Sequence, residues 1–172
     1  MLVEDVTQIG FAAQLAFDFR RPRTFVSSGA AGTLGCGFAT GIGAQVALPD
    51  RKVLVVAGDG GFLFTANELA TAVQHGIPLV TLVFNDGAYG NVKRIQQQRF
   101  GADRTIVSDL RNPDFVAFAE SFGALGLRAG GPDDVRPALE RAFADGRPVV
   151  IDVASPPMPD PWPWFIRRRA RG

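Results

Sequence analysis

The sequence has one cysteine and one histidine among 172 residues, and no apolar run approaches the ~20 residues that a membrane span needs. The lone Cys36 excludes a disulfide within the chain, so a reducing, cytoplasmic setting is expected. In its small-residue surroundings it reads as a packed core thiol. The lone His75, followed by Gly76, reads as a helix-end residue favoured by the dipole. Neither sign of charge is in excess. Eighteen basic residues meet seventeen acidic ones, so no overall field favours nucleic acid or a membrane surface. The N-terminus carries acids where a secretory signal would be basic. Only Arg167 to Arg171 form a charge run, read as a solvated end. No internal repeat or linker precedes the proline-rich end. We therefore expect one domain over residues 1–172, with 156–172 as its tail. An apolar fraction of 47% in a chain this long gives material for a sizeable core.

Glycine and short β-branched runs are plentiful. Val53-Leu54-Val55-Val56-Ala57 and Leu79 to Phe84 read as two strands buried on both faces. Between them Ala66 to Gln74 has helical composition, stopped by Gly76 and Pro78. A right-handed crossover makes the two strands parallel. It also brings Gly58-Asp59-Gly60-Gly61 and Asn85-Asp86-Gly87 to one edge of the sheet, where ligands bind in such folds.

The flanking chain repeats the alternation. Helices are expected over Val6–Phe17, with Asp5 as cap, and over about Thr33–Val46, Tyr89–Phe100, Pro113–Phe122 and Pro132–Ala144. Strands are expected at Thr24–Val26, weakly at Leu125–Arg128, and at Pro148–Val153. Gly101 to Asn112 reads as a loop over the binding edge. Gln96, Gln97 and Gln98 read as a solvated or interface face. The pattern predicts an α/β fold: an open parallel sheet with helices on both faces. Pro156 to Pro163 forbid regular structure, while Trp162, Trp164 and Phe165 suit a tail lying across another surface.

Two chemistries fit the edge. Gly35-Cys36-Gly37 to Gly41, with Asp59 about 20 residues on, loosely follows a dinucleotide fingerprint, but those glycines fall inside the expected helix. The second reading uses both acids. Asp59 and Asp86 suit Mg²⁺, which takes one or two carboxylates plus phosphate oxygens and water. The N–H groups of Gly60 and Gly61, opening a helix, would face the phosphate.

Gly58-Asp59-Gly60, twenty-four intervening residues, then Asn85-Asp86 resembles the G-D-G…N-N signature of thiamine-diphosphate enzymes. Ser27-Ser28-Gly29, Gly32-Thr33-Leu34-Gly35, the Glu68 to Ala72 helix and the Met158-Pro159…Trp162-Pro163 ending look like the diphosphate-binding domain of acetolactate-synthase-like enzymes. The resemblance covers essentially the whole chain. It implies that Asp59, Asp86 and the Ala88 carbonyl ligate Mg²⁺, and that Gly60 and Gly61 donate to the diphosphate. It further implies that Leu34 is the apolar wedge bending the cofactor and that the Gly32 carbonyl accepts from its aminopyrimidine. Gly58, Tyr89 and Gly90 would complete the cofactor-binding set. The cofactor would serve as an electron sink in decarboxylation of a small 2-oxo acid.

The sequence departs from that family in three places. Asp86 stands where asparagine is usual. Ile95 replaces a tryptophan that shapes the acceptor pocket of acetolactate synthases. No segment can supply the pyrimidine-binding domain and its activating glutamate; Glu68 reads as structural. The chain is therefore expected to be half of an active site, inactive alone and completed by a pyrimidine-binding domain or subunit in a dimer or tetramer. The alternatives are a non-catalytic remnant or interaction module, or the dinucleotide-binding domain.

Overall fold

The computed structural model describes residues 1–156 and Asp160. In chain order it contains β1 (Leu2–Glu4), α1 (Gln8–Ala16), β2 (Phe25–Val26), α2 (Cys36–Ala47), β3 (Leu54–Gly58), α3 (Asp59–Thr65) and α4 (Leu69–Gln74). There follow β4 (Val80–Asn85), α5 (Gly90–Phe100), α6 (Phe115–Ser121), β5 (Leu125–Ala129), α7 (Pro132–Asp145) and β6 (Val149–Ala154). The strands form one six-stranded sheet in the order β2-β1-β3-β4-β6-β5, and every pairing is parallel.

The twofold alternation of side chains along a strand divides the core. Val55 and Ala57 of β3, Val83 of β4 and Val150 of β6 pack with Phe38 and Ile42 of α2, Phe62 of α3, Leu69 of α4 and Phe115 of α6. Their neighbours Leu54, Val56, Val80, Leu82 and Ile151 pack on the other face with Ile9 of α1 and Leu139 and Ala142 of α7. Phe62 is wholly buried and meets Phe38 and Phe115 edge-on, with centroids 5.1 and 5.8 Å away. Truncating such a ring typically costs about 3–5 kcal/mol. Phe62 therefore fixes the first turn of α3, the turn that carries Asp59, Gly60 and Gly61.

The expected α/β architecture is the one observed, and the differences are local. β1 was not anticipated: three residues make no legible run, yet Leu2, Val3 and Glu4 are all buried between β2 and β3. Asp5 does not cap α1, whose N-cap is Thr7 without a side-chain bond. Its carboxylate instead accepts from Gly35 N at 2.8 Å and Gly37 N at 3.3 Å, at the start of α2. α2 begins at Cys36, three residues later than expected, because Gly35 precedes it with a φ of +88°. The crossover helix begins at Asp59 itself, then breaks at the 3₁₀ turn Ala66–Glu68 into α3 and α4. Pro113 lies outside α6; Asp114 is the cap and accepts from Val116 N and Ala117 N. The weakly signalled edge strand is β5. Gln96 is not merely solvated, since its amide clasps the backbone N–H and carbonyl of Ile106. Of the expected tail, Asp160 pairs with Arg94 of α5 at 2.7 Å; Met158, Trp162, Trp164 and the arginine run lie outside the described residues.

Candidate functional site

β3 and β4 are adjacent and parallel, so their C-terminal ends emerge together. Asp59 follows Gly58 directly, and Asp86 follows Asn85. Asp59 is 2% exposed. Its Oδ1 accepts from Gly60 N at 2.8 Å, and its Oδ2 from Gly87 N at 2.9 Å and Asn112 Nδ2 at 2.6 Å. Asp86 is half-buried, and its Oδ1 accepts from Ala88 N at 3.2 Å.

Burial pushes the Asp59 carboxyl above its ordinary range, against the pull of these hydrogen bonds. Burial raises Asp86 as well, and the neighbouring charge of Asp59 raises it further. Two acids whose charged forms are disfavoured by burial, Asp86 further by the charge of Asp59, make a place where a cation is stabilising. Among the described residues no group of three His, Cys, Asp or Glu side chains could hold a metal, so a cation here would need further oxygens from backbone or ligand.

Backbone has one oxygen placed to be offered there. Tyr89 N donates to Ser108 O at 2.8 Å and Leu110 N to Gly87 O at 2.7 Å, flanking an antiparallel bridge between Ala88 and Asp109. In that pattern the bridging residue turns its own N–H and C=O away from its partner. The N–H of Ala88 accordingly reaches Asp86, and its carbonyl leaves on the same side.

The two strand ends border a cavity of about 140 Å³. Leu34, Gly58, Asp59, Gly60, Gly61, Asp86, Ala88, Tyr89 and Gly90 all line it, as does β6's neighbour Ser155. Gly32 does not: it is exposed, with a φ of +55°, at the end of the 3₁₀ turn Gly29–Ala31. Ile95 of α5 is half-buried and also outside the lining.

Close approach explains the glycines. A Cβ on Gly60 would stand 2.4 Å from the Tyr89 ring, and one on Gly90 2.5 Å from Asp86 Oδ2. On Gly61 it would meet Asp5 Oδ2 at 3.1 Å and Leu34 Cδ1 at 3.2 Å. The N–H of Gly60 is taken by Asp59, whereas that of Gly61, in the first turn of α3, has no intrahelical acceptor.

Thr7 and Gln8 also line the cavity and were not singled out from sequence. Gln8 is 7% exposed, and its Nε2 is buried without a hydrogen-bond partner, so a strong donor stands unused there. The available signal was a polar Thr-Gln pair between an apolar start and an apolar helix. Asn112, which grips Asp59, ends a polar stretch whose composition marks no residue out.

The remaining candidates lie outside the cavity lining. His75 closes α4, and Glu68 accepts from Thr71 Oγ1 at 2.7 Å. Cys36 is not the packed core thiol expected: it opens α2 half-buried, because the first turn of that helix lies at the edge of the core, and burial and the Asp5 carboxylate push its thiol up, which disfavours the thiolate.

Comparison with known proteins adds four findings. Residues 5–153 match the family described as thiamine pyrophosphate enzyme, C-terminal TPP binding domain. The chain is 43% identical over 132 residues to acetolactate synthase of Bacillus subtilis, covering 77% of this chain and 23% of that protein. It is 36% identical over 155 residues to the acetolactate synthase large subunit of Haemophilus influenzae, covering 88% and 27%. Among solved structures, the thiamine diphosphate-dependent 4-hydroxybenzoylformate decarboxylase of Rhodococcus jostii RHA1 superposes with a TM-score of 0.82 at 29% identity, covering 91% of this chain and 29% of that one. The chain thus spans about a quarter of the length of the curated relatives it matches.

Proposed function

The chain belongs to the thiamine pyrophosphate enzymes, as a C-terminal TPP-binding domain, and from that premise we propose that it anchors thiamine diphosphate through Mg²⁺. It would be the diphosphate-binding half of a 2-oxo acid decarboxylase or acetolactate-synthase-like carboligase in the cytoplasm. The observation carrying this reading is the pair Asp59 and Asp86, which follow two adjacent parallel strands and line one cavity.

The residues fit both groups. Asp59, Asp86 and the Ala88 carbonyl offer three oxygens to a hard cation that takes its remaining ligands from diphosphate and water. Gln8 Nε2 and the N–H of Gly61 are unengaged donors for phosphate oxygens. Gly60 serves by its missing side chain and by holding Asp59. Leu34, packed on Gly61, would be the wedge beneath the cofactor's ring, and Tyr89 covers Gly60. When bound, thiamine diphosphate supplies an electron sink for cleaving the bond beside a 2-oxo acid's carbonyl.

In this reading the chain's residues bind and orient, and they do not activate. The cavity's two carboxylates are both committed to the ion, which leaves the activating acid and the aminopyrimidine pocket to a second domain or subunit. Gly32, exposed outside the cavity, suits contact with the part of the cofactor that such a partner would cover. The dinucleotide alternative meets a local obstacle. The N–H groups of Gly35 and Gly37, where a phosphate would sit, already bind the Asp5 carboxylate.

Titration calorimetry tests the proposal. Thiamine diphosphate is expected to bind with Mg²⁺ present and not after EDTA, and binding is expected to be lost in Asp59→Ala and Asp86→Ala. Metal-independent binding, or binding of NAD instead, overturns it. The chain alone is expected to decarboxylate pyruvate no faster than buffer. Robust turnover would refute the half-site claim, and turnover appearing on addition of a pyrimidine-binding partner would set aside the non-catalytic remnant.

A further inference from the structure

Asp59 is the end of a polar chain that runs away from the cavity. Asn112 Nδ2 donates to Asp59 Oδ2 at 2.6 Å and also to Asn85 Oδ1 at 2.9 Å. Asn85 Nδ2 donates to Asp152 Oδ1 at 3.1 Å, and the other oxygen of Asp152 takes Arg128 at 3.1 Å. Arg128 then holds both oxygens of Asp114, the α6 cap, at 2.7 Å.

Chemistry fixes the direction of both amides. Carboxylates only accept, so Asn85 must turn its nitrogen to Asp152. Its oxygen then faces Asn112, and Asn112 must donate both to it and to Asp59. Reversing Asn112 would set oxygen against two acceptors. One atom is left over: Asn112 Oδ1 is buried with no partner. An orphaned acceptor beside an acid is costly unless a bound group or water supplies a donor.

The backbone around Asn112 is fixed on both sides. Before it, Leu110 N is bound to Gly87 O, and after it Asp114 caps α6 and holds Arg128. The amide is therefore aimed by the fold rather than by a free loop.

We propose that Asn112 is a positioning residue for the cation site: its amide holds Asp59 Oδ2 in the orientation the ion requires, and it ties the returning 101–112 segment to that site. The inference rests on the reading of Asp59 as a metal ligand. Partners that orient metal-binding carboxylates typically govern affinity about 10- to 100-fold.

Mn²⁺ with thiamine diphosphate, followed by loss of the free-ion electron paramagnetic resonance signal, provides the test on the full chain. Asn112→Ala is expected to bind Mn²⁺ about 10- to 100-fold more weakly. It is also expected to lose most of the Mg²⁺-induced rise in thermal midpoint, an increment that a purely structural lesion leaves in place. Asn112→Ser, which keeps a hydroxyl but falls short of Asp59, serves if the alanine variant does not fold. Gln96→Ala cuts the clasp on Ile106 in the same segment without touching Asp59, and it is expected to keep affinity within about twofold. If the unaltered chain binds Mn²⁺ and both Asn112 variants match it, the positioning role is overturned and the cofactor site stands. If the unaltered chain takes up no Mn²⁺, both readings fall. Equal losses in Gln96→Ala and Asn112→Ala would also overturn the proposal, because general loosening of the segment would then be the cause.

Discussion

Glu4 shows how much a single side chain hides from a local reading. It is 4% exposed on β1; one carboxylate oxygen takes the Gln14 amide, and the other is buried without a partner. Burial pushes its carboxyl above the ordinary range, Gln14 pulls part of that back, and the charge of Asp5 adds to the rise. A folded value above the unfolded one means that the folded chain holds this proton longer. Glu4's contribution is therefore intact below its unfolded value and is lost as pH rises through the folded one. Glu4→Gln keeps the neutral shape. Its melting midpoint is expected to match the unaltered chain near about pH 4 and to exceed it at neutral pH, as thermal melts at the two pH values would read. A melting midpoint unchanged at neutral pH would remove the argument. At this scale the acids at the strand ends were legible, because Asp59 and Asp86 each follow a β-branched run and sit among glycines. Asn112 and Gln8 were not. An amide is chemically plain, and only its partners in space, Asp59 for one and an empty cavity wall for the other, mark it out.

Among the elements, α2 gives the clearest lesson. Its glycines lower helix propensity, and its start is secured by Asp5, thirty residues earlier in the chain. Asp5 is 1% exposed and accepts from Val6 N, Gly35 N and Gly37 N. Sequence identified Asp5 as a cap and assigned it to the wrong helix, because proximity in sequence says nothing of which N–H groups the sheet brings near. Leaving those donors buried and unpaired is expected to cost about 3 kcal/mol. Asp5→Ala should then melt roughly 6–12 °C lower, a fall that circular dichroism would follow. A fall of only about a degree would mean that solvent replaces the carboxylate. The strands behaved differently. β3 and β4 were readable since runs buried on both faces announce themselves, whereas β1 has three residues and owes its existence to pairing with β2 and β3.

For the whole molecule, alternation of strand and helix was enough to give a parallel open sheet, but not the order of its strands. Nothing local distinguishes a strand that ends at an edge from one that slips between two others. β6, the last strand in the chain, lies between β4 and β5 and pairs with both along its length. A chain cut after Asp145 would keep every other strand and yet leave the flank of β4 bare, and exposed strand edges promote association between chains. That truncation is expected to be aggregated in sedimentation or size-exclusion experiments while the full chain is not; a well-behaved, cooperatively melting truncated monomer would contradict it. The placement of β6 also has a consequence in time. Synthesis proceeds from the N-terminus, so β4 waits with an open side while more than sixty residues are added, and the two halves of the sheet join only when Val149 to Ala154 have left the ribosome. Contacts so distant in sequence are slow to form, and the interval is one in which a chaperone or a neighbouring domain would do the most to keep the nascent chain from misassembly.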